Sequence, residues 1–318
     1  QGMVHLVTVG LHNLKRQLAA GVTTVRDLGS PHKLAIDLAK AVATGKIYGP
    51  KVLPCGGNIT MTGGHGHMFG HEADGVDGIR HAAREELKQG AQVLKFMATG
   101  GVITRGVAAG AEAYSEAELR AGVEEAHKKG KHTAAHAQGL KGILNALRAG
   151  IDTIEHGAFD HWNDDALELL KTRVLVPTLA APEGIAAGSK HIADWIVAKT
   201  LPIVDVHRRN SYDAWQAGVP IVAGSDAGTP MNPHGRLIRE LQLLHEMGLS
   251  LAEVLQAATS TAAKALRLES EIGSLNPGTR ADLSVWARNP LEDIRAYNKP
   301  EAVFLAGEKA GLELLPAV

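Results

Sequence analysis

"AQVLKFMATGG", residues 91–101, places a lysine inside an apolar run that ends in two glycines. Its length and content are those of a strand covered on both faces. A buried ammonium is costly without a partner, so Lys95 needs a chemical reason to be there.

The neighbouring segments repeat one beat. "GVDGIRHAAREELKQG" (75–90) reads as a helix closed by Gly90. "YSEAELRAGVEEAHKKG" (114–130) opens on Ser115 with Glu118 three residues on, a capping-box pattern, and stops at Gly130. "KHTAAHA" (131–137) is a strand, "LKGILNALRAG" (140–150) a helix and "IDTIEHG" (151–157) a strand. The beat extends in both directions, with strands expected at 3–9, 23–29, 51–56, 92–98, 132–137, 152–156, 174–179 and 220–225. An insertion at 181–203 carries its own helix. Apolar strands alternating with helices imply a parallel sheet covered on both faces. Eight such units predict an α/β fold, a (β/α)8 TIM-type barrel. The alternative, an open doubly wound sheet, usually carries a phosphate-binding glycine fingerprint after its first strand, and none is seen.

From Gly273 the texture changes to turns and short strands, "GSLNPGTRADLSVWA" (273–287) and "AVFLAGEKAG" (302–311). The expected organisation is a barrel over 1–272 and a small β tail over 273–318. A tail of that size buries too little to stand alone.

The 318 residues are 45% hydrophobic, with 33 basic and 34 acidic side chains and a net charge of -1. That balance argues against nucleic acid and anionic membrane as partners and leaves a small-molecule substrate. Cys55 is the only cysteine, which rules out an intrachain disulfide and fits a reducing, cytoplasmic setting. No signal peptide or membrane-length apolar segment is expected.

Active sites of parallel barrels lie at the C-terminal ends of the strands. The ionisable residues expected there are Lys95, His136 in "HTAAHA", His156 in "DTIEHG" and Asp226 in "IVAGSDAG". His5 would lie on the first strand, and His132 lower on the strand of His136. Each has a plain structural reading: a polar residue satisfied at a strand end, or an Asp capping the next helix. Their convergence on one rim favours ligands for zinc, manganese or iron.

The stretches "GVTTVRDLG", "GGNITMTGGHGHMFG", "LKFMATGGV", "TAAHAQG", "AGIDTIEHG", "AGSDAG" and "NPGTRADLSVW" together resemble the amidohydrolase superfamily. The resemblance is closest to the branch of imidazolonepropionase-related proteins and Xaa-Pro dipeptidases (prolidase-like enzymes). It implies one or two divalent ions, zinc foremost, and a carbamylated Lys95 bridging them. His136 and His156 would bind the β metal, while Asp226 would bind the α metal and accept the proton of the attacking water. The implied reaction is hydrolysis of amide or peptide-type C–N bonds in dipeptides or N-acyl amino acids, extending to esters or lactones. An imidazolonepropionase-like cyclic amidase is the alternative, and a catalytically weakened ligand-binding barrel the competitor from another class. Candidate substrate contacts are His65 and His67 in the glycine-rich loop, Arg105 and Tyr114 after the Lys95 strand, and His234 after the eighth.

The start departs from the family. Members end their first strand in His-x-His. With "QGMVHLVTVG" (1–10) read as that strand, His5 matches the second ligand and Met3 replaces the first with a poorly suited thioether. Gln1-Gly2 reads as a tag scar before the gene's own Met3. Members also form a β-sandwich from an N-terminal segment and the C-terminal strands. The tail is therefore expected to be a sandwich remnant packed on the barrel or in a homo-oligomer interface.

Overall fold

The structure is a computed structural model that describes residues 2–188 and 190–311. Its centre is a ring of parallel strands: β1 (Thr24–Asp27), β2 (Lys51–Pro54), β5 (Val93–Met97), β6 (His132–Ala137), β7 (Thr153–His156) and β8 (Val174–Val176). Two short strands, β3 (Ile59–Thr60) and β4 (His71–Glu72), continue the path after β2. β1 pairs with β2, and β5 through β8 pair in sequence order. The amide of Gln92 donates to Pro54 O at 2.7 Å and joins the two arcs. Beyond β8 the ring continues as a bridge from Leu175 to Ile221. This is a TIM-type barrel of mixed α/β content with a small antiparallel sheet at its C-terminal end.

The pleat sorts the side chains. On β5, Leu94 and Phe96 join the main core beneath the helices. Lys95 points the other way, into the barrel, as strand alternation requires. On β6, Ala135 and Ala137 likewise face the helices, while His132, Ala134 and His136 face the interior. The covering helices include α2 (Leu34–Ala43), α3 (Gly75–Gln89), α4 (Glu116–Lys128), α5 (Leu140–Ala149), α6 (Asp164–Leu170) and α9 (Val204–Gln216). Ser115 and Glu118 form the expected capping box on α4. α3 ends at Gly90 with φ +115°, a left-handed position that favours glycine.

Two expected strands are absent. Residues 3–9 are not a strand but the start of α1 (Met3–Ala19). Their Val- and Thr-rich run resembles a strand, yet it continues into "LHNLKRQLA", where Leu14 and Leu18 bury one helical face. Residues 220–225 make only the single bridge at Ile221. Among the described residues no strand lies between that bridge and β1. The insertion carries two helices, α7 (Ala180–Ala186) and α8 (Asp194–Thr200). α10 (Leu237–Met247), α11 (Leu251–Ala258) and α12 (Ser260–Ala265) complete the shell.

In the C-terminal sheet, β10 (Ala302–Leu305) lies between β9 (Leu283–Val285) and β11 (Glu308–Lys309). It packs on the barrel's α1. Leu18 forms a buried cluster with Val303, Leu305 and Ala310, and Ser284 Oγ donates to Gly21 O at 2.7 Å. Gly21 sits at φ +87°, and a Cβ there would meet the Trp286 ring at 2.9 Å. No helix of the described residues is long and apolar enough to cross a membrane.

Candidate active site

Three imidazoles meet at the C-terminal rim. The His65 and His136 ring centroids are 4.3 Å apart, and those of His136 and His156 are 4.6 Å apart. Each ring is anchored by a second group. His65 Nδ1 lies 2.7 Å from Thr104 Oγ1, His136 Nε2 lies 3.1 Å from Gly100 O, and His156 Nδ1 lies 2.6 Å from Thr178 Oγ1.

These contacts assign two tautomers. A carbonyl only accepts, so His136 carries its proton on Nε2 and keeps a lone pair on Nδ1. Thr178 Oγ1 spends its own proton on Pro177 O at 2.6 Å. His156 must therefore donate from Nδ1, which leaves its lone pair on Nε2. Burial first, then neighbouring positive charge, pushes both rings well below the usual histidine pKa and His65 down to about 4. All three are thus neutral at pH 7.

Lys95 is only 4% exposed and makes no ion pair among the described residues. Desolvation lowers its pKa, opposed chiefly by the charges of Glu155 and Asp226. Glu155 is already engaged: it accepts from Arg26 Nη2 at 2.8 Å and from Thr153 Oγ1 at 2.6 Å. The Arg26–Glu155 pair spans the barrel from β1 to β7.

Asp226 is solvent-exposed at the mouth of the barrel, with protein crowded around it. Desolvation raises its pKa to about 6, against the pull of Lys95. Asn232 Nδ2 holds the turn through Ser225 O at 2.5 Å and Asp226 O at 3.1 Å. His156, Thr178 and Asp226 all have left-handed backbones, with φ +72°, +57° and +51°. Such positions cost about 1–3 kcal/mol each and gather at functional sites.

Other expected residues fall differently. His67 and Arg105 are exposed, with the Arg105 guanidinium 5.6 Å from the Trp195 ring centroid. His234 is half-buried, within 3.3 Å of where a Cβ on Gly228 would lie. Two expectations need correction. His5 stands exposed on α1, because the segment meant to carry it to the rim is helical. Tyr114 is 1% exposed in the core, where its hydroxyl donates to Ala73 O at 2.7 Å, so it is not free to face a ligand. Sequence reading missed Thr104, Thr178, Asn232 and Arg26. It also missed Glu240, a fully buried carboxyl on α10 that accepts from the Leu179 and Ala180 amides at 3.0 and 2.8 Å. The turn after Thr178 is pinned by those two bonds.

Among the described residues no three His, Cys, Asp or Glu side chains converge as a ready ligand set. The donor chemistry nevertheless suits a divalent ion: two neutral imidazoles with lone pairs to offer, their other nitrogens fixed by partners, beside a buried lysine.

The sequence pattern of the amidohydrolase family matches residues 6–309. The chain belongs to the amidohydrolase family. It is 31% identical over 316 residues to the ochratoxinase of Aspergillus niger, covering 90% of this chain and 64% of that protein. To the imidazolonepropionase of Rhizorhabdus wittichii it is 28% identical over 299 residues, covering 88% of this chain and 65% of the relative. It is also similar to the crystal structure of a Xaa-Pro dipeptidase with methionine bound in the active site. That match has a TM-score of 0.91 and 29% identity, covering 97% of this chain and 80% of the other.

Proposed function

We propose that this amidohydrolase is a metal-dependent hydrolase of amide and peptide-type C–N bonds, acting on dipeptides or N-acyl amino acids. The observation that carries this reading is the pair of neutral, singly anchored imidazoles of His136 and His156 beside the desolvated Lys95. Similarity to an Xaa-Pro dipeptidase supports the substrate class.

His136 through Nδ1, His156 through Nε2 and a carbamylated Lys95 would hold one ion, zinc, manganese or iron. Such an ion supplies a Lewis acid for the carbonyl and lowers the pKa of water. Desolvation prepares Lys95 by favouring its neutral amine. The Nζ lone pair adds to carbon dioxide, one proton leaves, and the product is a carboxylate. The buried cation thereby becomes an anion facing Arg26. Asp226, with a pKa near 6, is mostly ionised at neutral pH. It takes the proton of the attacking water and returns it to the leaving amine, and a pKa close to the working pH suits both transfers. His65, neutral and tilted against His136, adds no competing charge.

The test is a hydrolysis panel of Xaa-Pro and other dipeptides, N-acyl amino acids, esters and lactones, with and without a chelator. The reading expects chelator-sensitive cleavage of at least one amide. No cleavage of any amide with stoichiometric metal bound would overturn it and favour a ligand-binding barrel.

A further inference from the structure

Lys199, near the end of α8, seats its ammonium on three backbone carbonyls of the loop that follows β5. The acceptors are Gly101 O at 2.9 Å, Thr104 O at 2.9 Å and Val107 O at 2.5 Å. An ammonium has three donors, and here all three are used. Among the described residues no carboxylate pairs with Lys199, and no backbone amide reaches those three carbonyls. The lysine therefore supplies what a sheet ladder would supply elsewhere.

The same loop orients two of the three site rings. Gly100 O receives His136 Nε2, and Thr104 Oγ1 meets His65 Nδ1. The His65 ring also lies against Gly101, where an added Cβ would come within 2.4 Å of it. A shift of the loop would carry both rings with it. His156 depends instead on Thr178, and through it on the turn pinned by Glu240. Trp195, one helical turn before Lys199, adds a second joint between α8 and the loop, through the Arg105 guanidinium.

We propose that Lys199 is a positioning residue: its ammonium clamps residues 100–107 in the shape that sets the rings of His65 and His136 for ligand binding and chemistry. Only the activity arm of the test rests on the hydrolase reading. The direct arm records long-range 1H–15N spectra of the imidazoles and amide hydrogen exchange in the wild type and Lys199→Met. Lys199→Met should shift the His65 and His136 signals and leave His156 in its Nδ1–H form. The amides of Gly100, Gly110 and Ala111, whose bonds to Ala111 O, Gly100 O and Ala108 O close the loop, should exchange at least about 10-fold faster, the effect of losing a single charge-assisted bond. Unchanged His65 and His136 signals with unchanged loop exchange would overturn the proposal. So would an equal disturbance of all the histidines, which would mean a general structural role. Lys199→Gln, which keeps part of the donor set, should show the same selective pattern at smaller amplitude and serves if the Met variant does not fold. In the activity arm, kcat should fall about 10-fold or more with KM changed less than about threefold, as expected when oriented groups rather than substrate contacts are lost. A wild type inactive on the whole panel would defeat the hydrolase reading, while the spectra would still decide the role of Lys199.

Discussion

The two sides of the barrel are built differently. Every residue of β6, His132–Ala137, is buried, and so is every residue of β5 and β7. Every residue of β1, Thr24–Asp27, is only half-buried, and no described strand stands between it and the bridge at Ile221. The packed wall holds Lys95, His136 and His156 in fixed settings. The open flank leaves Asp226 exposed to solvent at the mouth. The packed side is thus suited to holding a ligand set, and the wetted side to exchanging a proton. The Arg26–Glu155 pair ties one to the other.

The sharpest way to break this division is at Asp226. Asp226→Asn should lower kcat by about 10²–10⁴, the range for removing a general acid–base. It should also remove an acid limb near pH 6 from the rate profile while metal content holds. A variant that instead loses its metal would place Asp226 with the ligand set. Next is the tie across the barrel. Arg26→Ala leaves Glu155 buried and unpaired, and chemical denaturation should show a loss of about 3–5 kcal/mol. A change below about 1 kcal/mol would mean that the two sides are not coupled through this pair.

Thr178→Val removes the hydroxyl that fixes the His156 tautomer. Metal affinity should fall about 10- to 100-fold, as for other outer partners of ligating histidines. Unchanged affinity in a competition titration would release His156 from that role.

The smallest effect is on acid stability of the metal-free protein. His65, His132, His136, His156 and His207 all have lowered pKa values in the folded state, chiefly from burial. Between about pH 4 and 6.5 the unfolded chain binds protons that these folded rings refuse, so stability rises with pH there. Asp27 and Asp226, raised to about 6, and Glu240, raised to about 8, act in the opposite sense. In the folded state these carboxyls hold their protons only below those values, and their contribution is lost as pH rises through them. The five rings outweigh them below pH 6, and Glu240 remains above it. Thermal unfolding should therefore be latest near pH 6–7, and a midpoint that climbs steadily to pH 8 would contradict this balance.

The same division governs what the sequence reveals. β5, β6 and β7 are short apolar runs bounded by glycine-closed helices, and Lys95, His136 and His156 within them stand out because ionisable groups are rare in such runs. The supporting groups do not stand out. Thr178 is 22 positions from His156, Thr104 is 39 from His65, and Glu155 is 129 from Arg26. Threonine is common in loops, and only the folded barrel brings these partners together. Residues 3–9 mislead for a different reason. Val4, Val7, Thr8 and Val9 favour a strand locally, while the leucines further along commit the segment to a helix. With that helix goes the expectation that His5 reaches the rim. The described residues then offer donors for one ion on the packed wall.

Metal stoichiometry by elemental analysis, on the wild type and Lys95→Ala purified side by side with added bicarbonate, tests the central claim most directly. About one equivalent of a divalent ion is expected in the wild type, and loss of most of it in Lys95→Ala, since one of three ligands is removed. Equal metal in both proteins, or none in the wild type, would contradict a centre built on Lys95, His136 and His156.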